Sequence, residues 1–223
     1  MNRSVMLLAA GRGERMGALT KETPKPLLIF KGKPLIVWHI EKLSAAGFTD
    51  IVINVSYLAE KIKEYLGNGS QWGVRIFFSD ENPVLETAGG IRKALPLLKS
   101  NPFLVINSDI YSDINYAELY KLNLPKSIEG LLFFVKNPLH NPAGDFLLGD
   151  DGVVMNDGMI KKTFSGIAIY RPDFFYDLPN NKFIKLSDVL KEKVEKRLIR
   201  GNLFNGLWID IGTPERLMSQ DSL

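Results

Sequence analysis

The chain has 223 residues, 45% of them apolar and 24% charged, with a formal net charge of +3 and no cysteine. These are values of an ordinary globular chain, long enough to bury a core without staples. They exclude disulfides, thiol nucleophiles and zinc–thiolate centres. The basic residues are too scattered for a nucleic-acid stripe, Lys161-Lys162 being the longest tight grouping.

The start places Arg3 before an apolar run over residues 5–10, shorter than the apolar region of a signal peptide and followed at once by Arg12, Glu14 and Arg15. No segment approaches the roughly 20 apolar residues of a membrane helix. A cytoplasmic protein without membrane or nucleic-acid partners is expected. Residues 5–9 predict a strand buried on both faces, ending in glycine. Over residues 34–46, Ile36, Ile40 and Leu43 fall at helical spacing, with Gly47 as the stop. Residues 51–55 predict the next strand, and Leu58, Ile62 and Leu66 a helix ending at Gly67. A third strand is expected over residues 74–78, then a helix capped by Thr87 and carrying Ile91, Ala94, Leu95 and Leu98. The fourth strand, residues 103–106, runs into Asn107-Ser108-Asp109.

This β-α-β-α-β-α-β order predicts parallel strands joined by right-handed crossovers. The second half is richer in strands, at residues 131–135, 146–148 and 163–170. A helix with Leu186, Val189, Leu190 and Val194 follows, then short strands at 199–204 and 207–211. Thr213 and Pro214 open a last helix as cap and first helical residue. With no repeat, low-complexity tract or linker, residues 1–223 read as one α/β domain. Its expected core is a Rossmann-like, mixed but mostly parallel central sheet with helices on both faces.

The loop after the first strand, Ala9-Ala10-Gly11-Arg12-Gly13-Glu14-Arg15, carries two glycines where a backbone can approach phosphates closely. A dinucleotide fingerprint needs a third glycine where Met16 stands, and an acidic end to the second strand, which reads Ile53-Asn54-Val55. No Lys-Ser/Thr pair makes a Walker loop. A Gly-Arg-Gly loop for a triphosphate tail remains, beside the plainer reading of a glycine turn with solvated charges. In Thr23-Pro24-Lys25-Pro26-Leu27 two prolines restrict the backbone around one lysine. A held ammonium suits an α-phosphate whose charge grows during transfer, although a lysine in a surface loop is the bland alternative. Asp109 lies where an open α/β sheet places its ligands, and Asp210 lies in Trp208-Ile209-Asp210-Ile211-Gly212-Thr213. Together they would make a magnesium site; separately each could be a cap, and spacing does not pair them. His39, on a helical segment, reads as packing.

Taken together, residues 8–16, Thr23-Pro24-Lys25-Pro26-Leu27, Glu86-Thr87-Ala88-Gly89-Gly90, Asn107-Ser108-Asp109 and Trp208 to Thr213 resemble, in content and order, the sugar-1-phosphate nucleotidyltransferases. The resemblance covers nearly the whole chain. It implies that Ala9, Ala10, Gly11, Arg12, Gly13, Lys25 and Asn107 hold the nucleotide, with Glu81 and Gly89-Gly90 beside its base. It further implies Lys25 and Arg15 as catalytic residues, and Mg2+ held by Asp109 and Asp210. Gly144, Asp145, Ser165 and Gly166 would meet the sugar. Asn137-Pro138 with Gly144-Asp145-Phe146, and Thr163-Phe164-Ser165-Gly166, resemble the uridylyltransferase branch. The substrates implied are UTP and N-acetylmuramate 1-phosphate, within cell-wall recycling. Guanylyltransferases acting on mannose 1-phosphate share every phosphate motif, so the base stays open. The late Glu-Lys-Pro sugar contact of many relatives is missing; Met155-Asn156-Asp157-Gly158 stands there. Lys161 or Lys162 could meet the lactyl carboxylate, or both could be solvated. An acetyl-transfer extension is not expected, and the sequence does not separate a monomer from a small homo-oligomer. A non-catalytic nucleotide-sugar binder is the alternative from another class; retention of Lys25, Asp109 and Asp210 argues against it.

Overall fold

The computed structural model describes residues 3–218. β1 (Ser4–Leu8) leads through short 3-10 turns and a small hairpin, β2 (Ile29–Phe30) with β3 (Lys33–Pro34), into α1 (Leu35–Ala45). β4 (Asp50–Val55), α2 (Ala59–Leu66), β5 (Arg75–Asp80), α3 (Glu86–Ala94) and β6 (Phe103–Asn107) follow in alternation. Next come β7 (Ile110–Ser112), α4 (Tyr116–Lys121), β8 (Gly130–Val135), β9 (Phe146–Leu148), β10 (Val154–Met155) and the long β11 (Lys161–Tyr170). α5 (Asp173–Tyr176), α6 (Leu186–Glu195), β12 (Ile199–Leu203), β13 (Trp208–Asp210) and α7 (Pro214–Met218) complete the described chain. No helix among the described residues is long and apolar enough to cross a membrane.

Nine strands form one mixed sheet. β5, β4, β1 and β6 lie side by side and parallel, so strand order reverses between β1 and β6. β11 joins β6 antiparallel, and β8 pairs antiparallel with β11 and parallel with β12. Both faces are covered, which is why β1 reads as an unbroken apolar run. Val5 and Leu7 pack with α1, α2 and α4, while Met6, on the other face, packs with α3, α5 and α6. A third, smaller cluster joins Met16, Leu28, Phe30 and Leu35 to Ile209 and Ile211. It fastens the segment after β1 to β13.

One boundary differs from the sequence expectation. Thr87 does not cap α3 but lies inside its first turn. The first free amides of that helix, Ala88 N and Gly89 N, donate to the Ile184 carbonyl at 3.1 and 3.3 Å. A carbonyl from the segment before α6 thus does the work expected of a side-chain cap. At the other end, Thr213 behaves as expected, its hydroxyl accepting from Arg216 N at 3.4 Å.

Candidate active site

An open parallel sheet leaves a crevice at the carboxyl ends of its strands where strand order reverses. Here a cleft of about 530 Å3 opens between β1 and β6. The segment from Leu8 to Arg15 forms one wall, with Ala9 and Ala10 buried and Gly11, Arg12 and Arg15 exposed. Gly13 has φ 66°, in the left-handed region, and a Cβ on it would stand 3.1 Å from both Lys25 Cβ and Thr20 Cγ2. Glycine therefore brings this loop against Lys25.

Behind the loop lies a polar brace. Ala9 N donates to Asn54 Oδ1 at 2.9 Å, and Asn54 Nδ2 donates to Glu81 Oε1 at 2.7 Å. Leu85 N donates to Glu81 Oε2 at 2.9 Å. Glu81 borders the cleft, yet it is buried and both its oxygens serve the protein. Burial pushes its carboxyl above the usual range, and the Asn54 and Leu85 donors oppose the rise. Gly89 and Gly90 face protein, not the cleft. A Cβ on Gly90 would meet Glu81 Oε1 at 2.3 Å, and one on Gly89 the Lys182 carbonyl oxygen at 2.1 Å.

At the floor, Lys25 Nζ pairs with Asp109 Oδ2, and the lysine side chain is only 11% exposed. Asp109 follows β6, and its carbonyl accepts from Ile211 N at 2.9 Å. β7 pairs antiparallel with β13, setting Asp210 opposite Ile110, the neighbour of Asp109. This pairing brings the two aspartates together. Asp210 Oδ2 accepts from Arg216 Nη1 at 2.8 Å and lies 3.1 Å from His140 Nε2.

A second compartment of about 240 Å3 adjoins the first, and Arg15, Asn107 and Asp109 line both. Its far side holds His140, Asp145, Ser165, Gly166 and Trp208. Ser165 and Gly166 lie where the β11–β8 register shifts, between Phe164 and Ala168. Such a bulge turns residues off the ladder and towards a site. Trp208 Nε1 donates to the Ser165 carbonyl at 2.9 Å, and its ring lies beside His140. Asp145 is fully engaged, accepting from Asn141 Nδ2 at 3.1 Å and from Phe164 N at 2.8 Å. Gly144 does not line the compartment; it closes the loop against Asn137 and the Lys161 backbone. Lys161 and Lys162 line neither compartment. Their carbonyls accept from Asn137 Nδ2 and Asp145 N at 3.0 and 2.9 Å, tethering the loop instead.

Asp109 and Asp210 suit a magnesium ion. No group of three or more His, Cys, Asp or Glu among the described residues is arranged to hold a metal, so two carboxylates would have to be supplemented by water and substrate phosphates. Magnesium is commonly held that way. Asn54, His140, Asn141 and Arg216 were not singled out from the sequence. Asn54 carries a signal in hindsight, an amide ending an otherwise apolar strand; His140 and Arg216 carry none.

A crevice at the switch point of a parallel sheet, faced by glycines and by guanidinium groups without ion-pair partners among the described residues, defines a class, the α/β proteins that hold nucleotide phosphates. Residues 4–145 match the nucleotidyl transferase family, and the chain belongs to it. It is 47% identical to N-acetylmuramate alpha-1-phosphate uridylyltransferase of Neisseria meningitidis serogroup B, over 98% of this chain and 96% of that one. It is 29% identical to the catalytic subunit beta of mannose-1-phosphate guanylyltransferase from Drosophila melanogaster, over 96% of this chain and 60% of that one. The crystal structure of HddC from Yersinia pseudotuberculosis superposes with a TM-score of 0.82 at 26% identity, covering 99% of this chain and 98% of that one.

Proposed function

We propose that this chain transfers a uridylyl group from UTP to N-acetylmuramate 1-phosphate, giving UDP-N-acetylmuramate and pyrophosphate, as a single-domain cytoplasmic enzyme of cell-wall recycling. One observation carries the reading: two compartments share a wall of Arg15, Asn107 and Asp109, with the Lys25 ammonium bound to that wall. The first takes the triphosphate against Gly11, Arg12, Gly13 and Arg15. The second takes the sugar 1-phosphate near Asp145, Ser165, Gly166 and Trp208. A phosphate monoester is largely deprotonated near neutral pH, its second pKa being about 6, so its oxygen attacks the α-phosphorus without a general base while pyrophosphate leaves. Lys25 meets the charge that grows on the α-phosphoryl group. Magnesium on Asp109 and Asp210 would supply further charge neutralisation. The similarity to the Neisseria uridylyltransferase supports the choice of base and sugar.

Electrostatics supports an acidic acceptor. Each carboxylate lining the second compartment has its own donor: Asp109 has Lys25, Asp145 has Asn141 and Phe164 N, and Asp210 has Arg216. Arg15 has no ion-pair partner among the described residues and borders both compartments, so it meets the triphosphate on one side and presents positive charge to an acidic acceptor on the other. The test is a panel of UTP, dTTP and GTP, each with the 1-phosphates of N-acetylmuramate, N-acetylglucosamine, glucose and mannose. UTP with N-acetylmuramate 1-phosphate should give the highest kcat/KM, exceeding the sugar without the lactyl group by about 10²-fold. A preference for GTP with mannose 1-phosphate would overturn the base and sugar while leaving nucleotidyl transfer in place.

A further inference from the structure

Asp210 is held on one side only. Both of its partners sit on Oδ2, Arg216 Nη1 at 2.8 Å and His140 Nε2 at 3.1 Å, and Oδ1 has no hydrogen-bond or ion-pair partner among the described residues. Asp109 repeats the pattern, with Lys25 on Oδ2 and no partner on Oδ1 among the described residues. Left alone, a carboxylate turns about its last torsion and presents either oxygen. The Arg216 hydrogen bond, with the His140 ring nitrogen against the same oxygen, restricts that freedom. The two groups come from different parts of the fold, Arg216 from α7 and His140 from the loop between β8 and β9. The side chains of Asp210 and Arg216 are 17% and 20% exposed, so water competes weakly for the pair. Gly212 makes room for it, since a Cβ there would fall 2.3 Å from Arg216 Nη2 and 2.8 Å from Asp210 Oδ1.

We infer that Arg216 and His140 are positioning residues that lock Asp210 with Oδ1 presented as a one-oxygen ligand for a divalent cation. The inference rests on the nucleotidyl-transfer reading above and adds the groups that would set its metal geometry. Partners that orient a metal ligand commonly govern affinity as strongly as the ligand itself. A simple counterion does the reverse. If Arg216 merely neutralised Asp210, it would compete with the metal, and its removal would tighten metal binding because a bare carboxylate attracts a cation more strongly. Positioning requires that removal weaken it.

The sign can be read without turnover. Mn2+ binding to the full chain is titrated by electron paramagnetic resonance, with a UTP analogue carrying a methylene between the α and β phosphates. The variants are Arg216→Ala, Arg216→Lys, His140→Ala and His140→Gln. Each alanine variant should weaken Mn2+ binding about 10-fold. The Arg216→Lys variant, which keeps a donor, and His140→Gln, which keeps a polar group beside the carboxylate, should recover part of the loss. Affinity for the analogue without metal should stay at the parent value. His140 sits in a loop, so its variants keep the test open if Arg216→Ala loosens α7. Unchanged or tighter Mn2+ binding in both alanine variants overturns the inference alone, as does an equal loss of analogue affinity without metal. A parent chain that binds neither the analogue nor its Mn2+ complex sinks the transfer reading and this inference with it.

Discussion

Lys25 shows how much of this site is set by single side chains. Prolines on both sides restrict its backbone, and the ammonium is fixed against Asp109 in a nearly closed position. A group held before any ligand arrives loses little entropy on binding and acts where charge develops. Lys25→Ala should therefore lower kcat by about 10²-fold or more while moving KM for the nucleotide much less. Steady-state kinetics over nucleotide concentration decide it. A change confined to KM would make the lysine a tether and nothing more. Asp109→Asn and Asp210→Asn should each cost about 10²-fold or more at saturating magnesium, with the fold intact by circular dichroism. Turnover near the parent value in either variant would remove that aspartate from the site.

Among the elements, α3 lines the cleft with Glu86 and Thr87 and also braces it from behind. Gly90 lets Glu81 lie against the helix, and Glu81 steadies Asn54, which holds the Ala9 amide of the glycine loop. Gly90→Ala should destabilise the fold by about 1–3 kcal/mol through overpacking and weaken nucleotide binding by disturbing that brace. Gly89→Ala, blocked by backbone, should be at least as damaging to stability. Urea unfolding together with nucleotide titration separates the two effects, and wild-type values for both variants would refute the brace. The glycine pair was visible in the sequence; the close approaches it allows were not, because they depend on Glu81, just past β5, and on Lys182, far along the chain. The parallel strands were legible because burial on both faces leaves an apolar run that needs no context. β7 was not: three residues after Asp109 carry too little pattern, and its pairing with β13 leaves no trace in spacing. Thr87 misled for a related reason, since Ile184 supplies the helix start from far along the chain.

For the molecule as a whole, His39 couples stability to pH. It lies buried between α1 and α4, with the Tyr116 hydroxyl 2.8 Å from Nδ1. Burial, aided by the nearby Lys42 charge and opposed by the Ile110 backbone and then by Asp109, holds its pKa down at about 4. An unfolded histidine titrates near 6.5, so below that pH the unfolded chain takes up a proton that the folded chain refuses. The contribution is intact above about pH 6.5 and is lost as pH falls towards about 4. Unfolding free energy should drop by about 2 kcal/mol between about pH 7 and about pH 5. His39→Gln should flatten that slope, and an unchanged slope in this variant would show the histidine is not responsible.

The pairing of β7 with β13 also has a temporal side. A ribosome has delivered the glycine loop, Lys25 and Asp109 by about the midpoint of the chain. Asp210 arrives with β13, the last of the described strands, and only then can the second compartment close around Trp208. The parallel strands β1, β4, β5 and β6, whose carboxyl ends form the switch point, have all been made by then. The residues proposed to meet the nucleotide phosphates therefore all precede Asp210 in the order of synthesis.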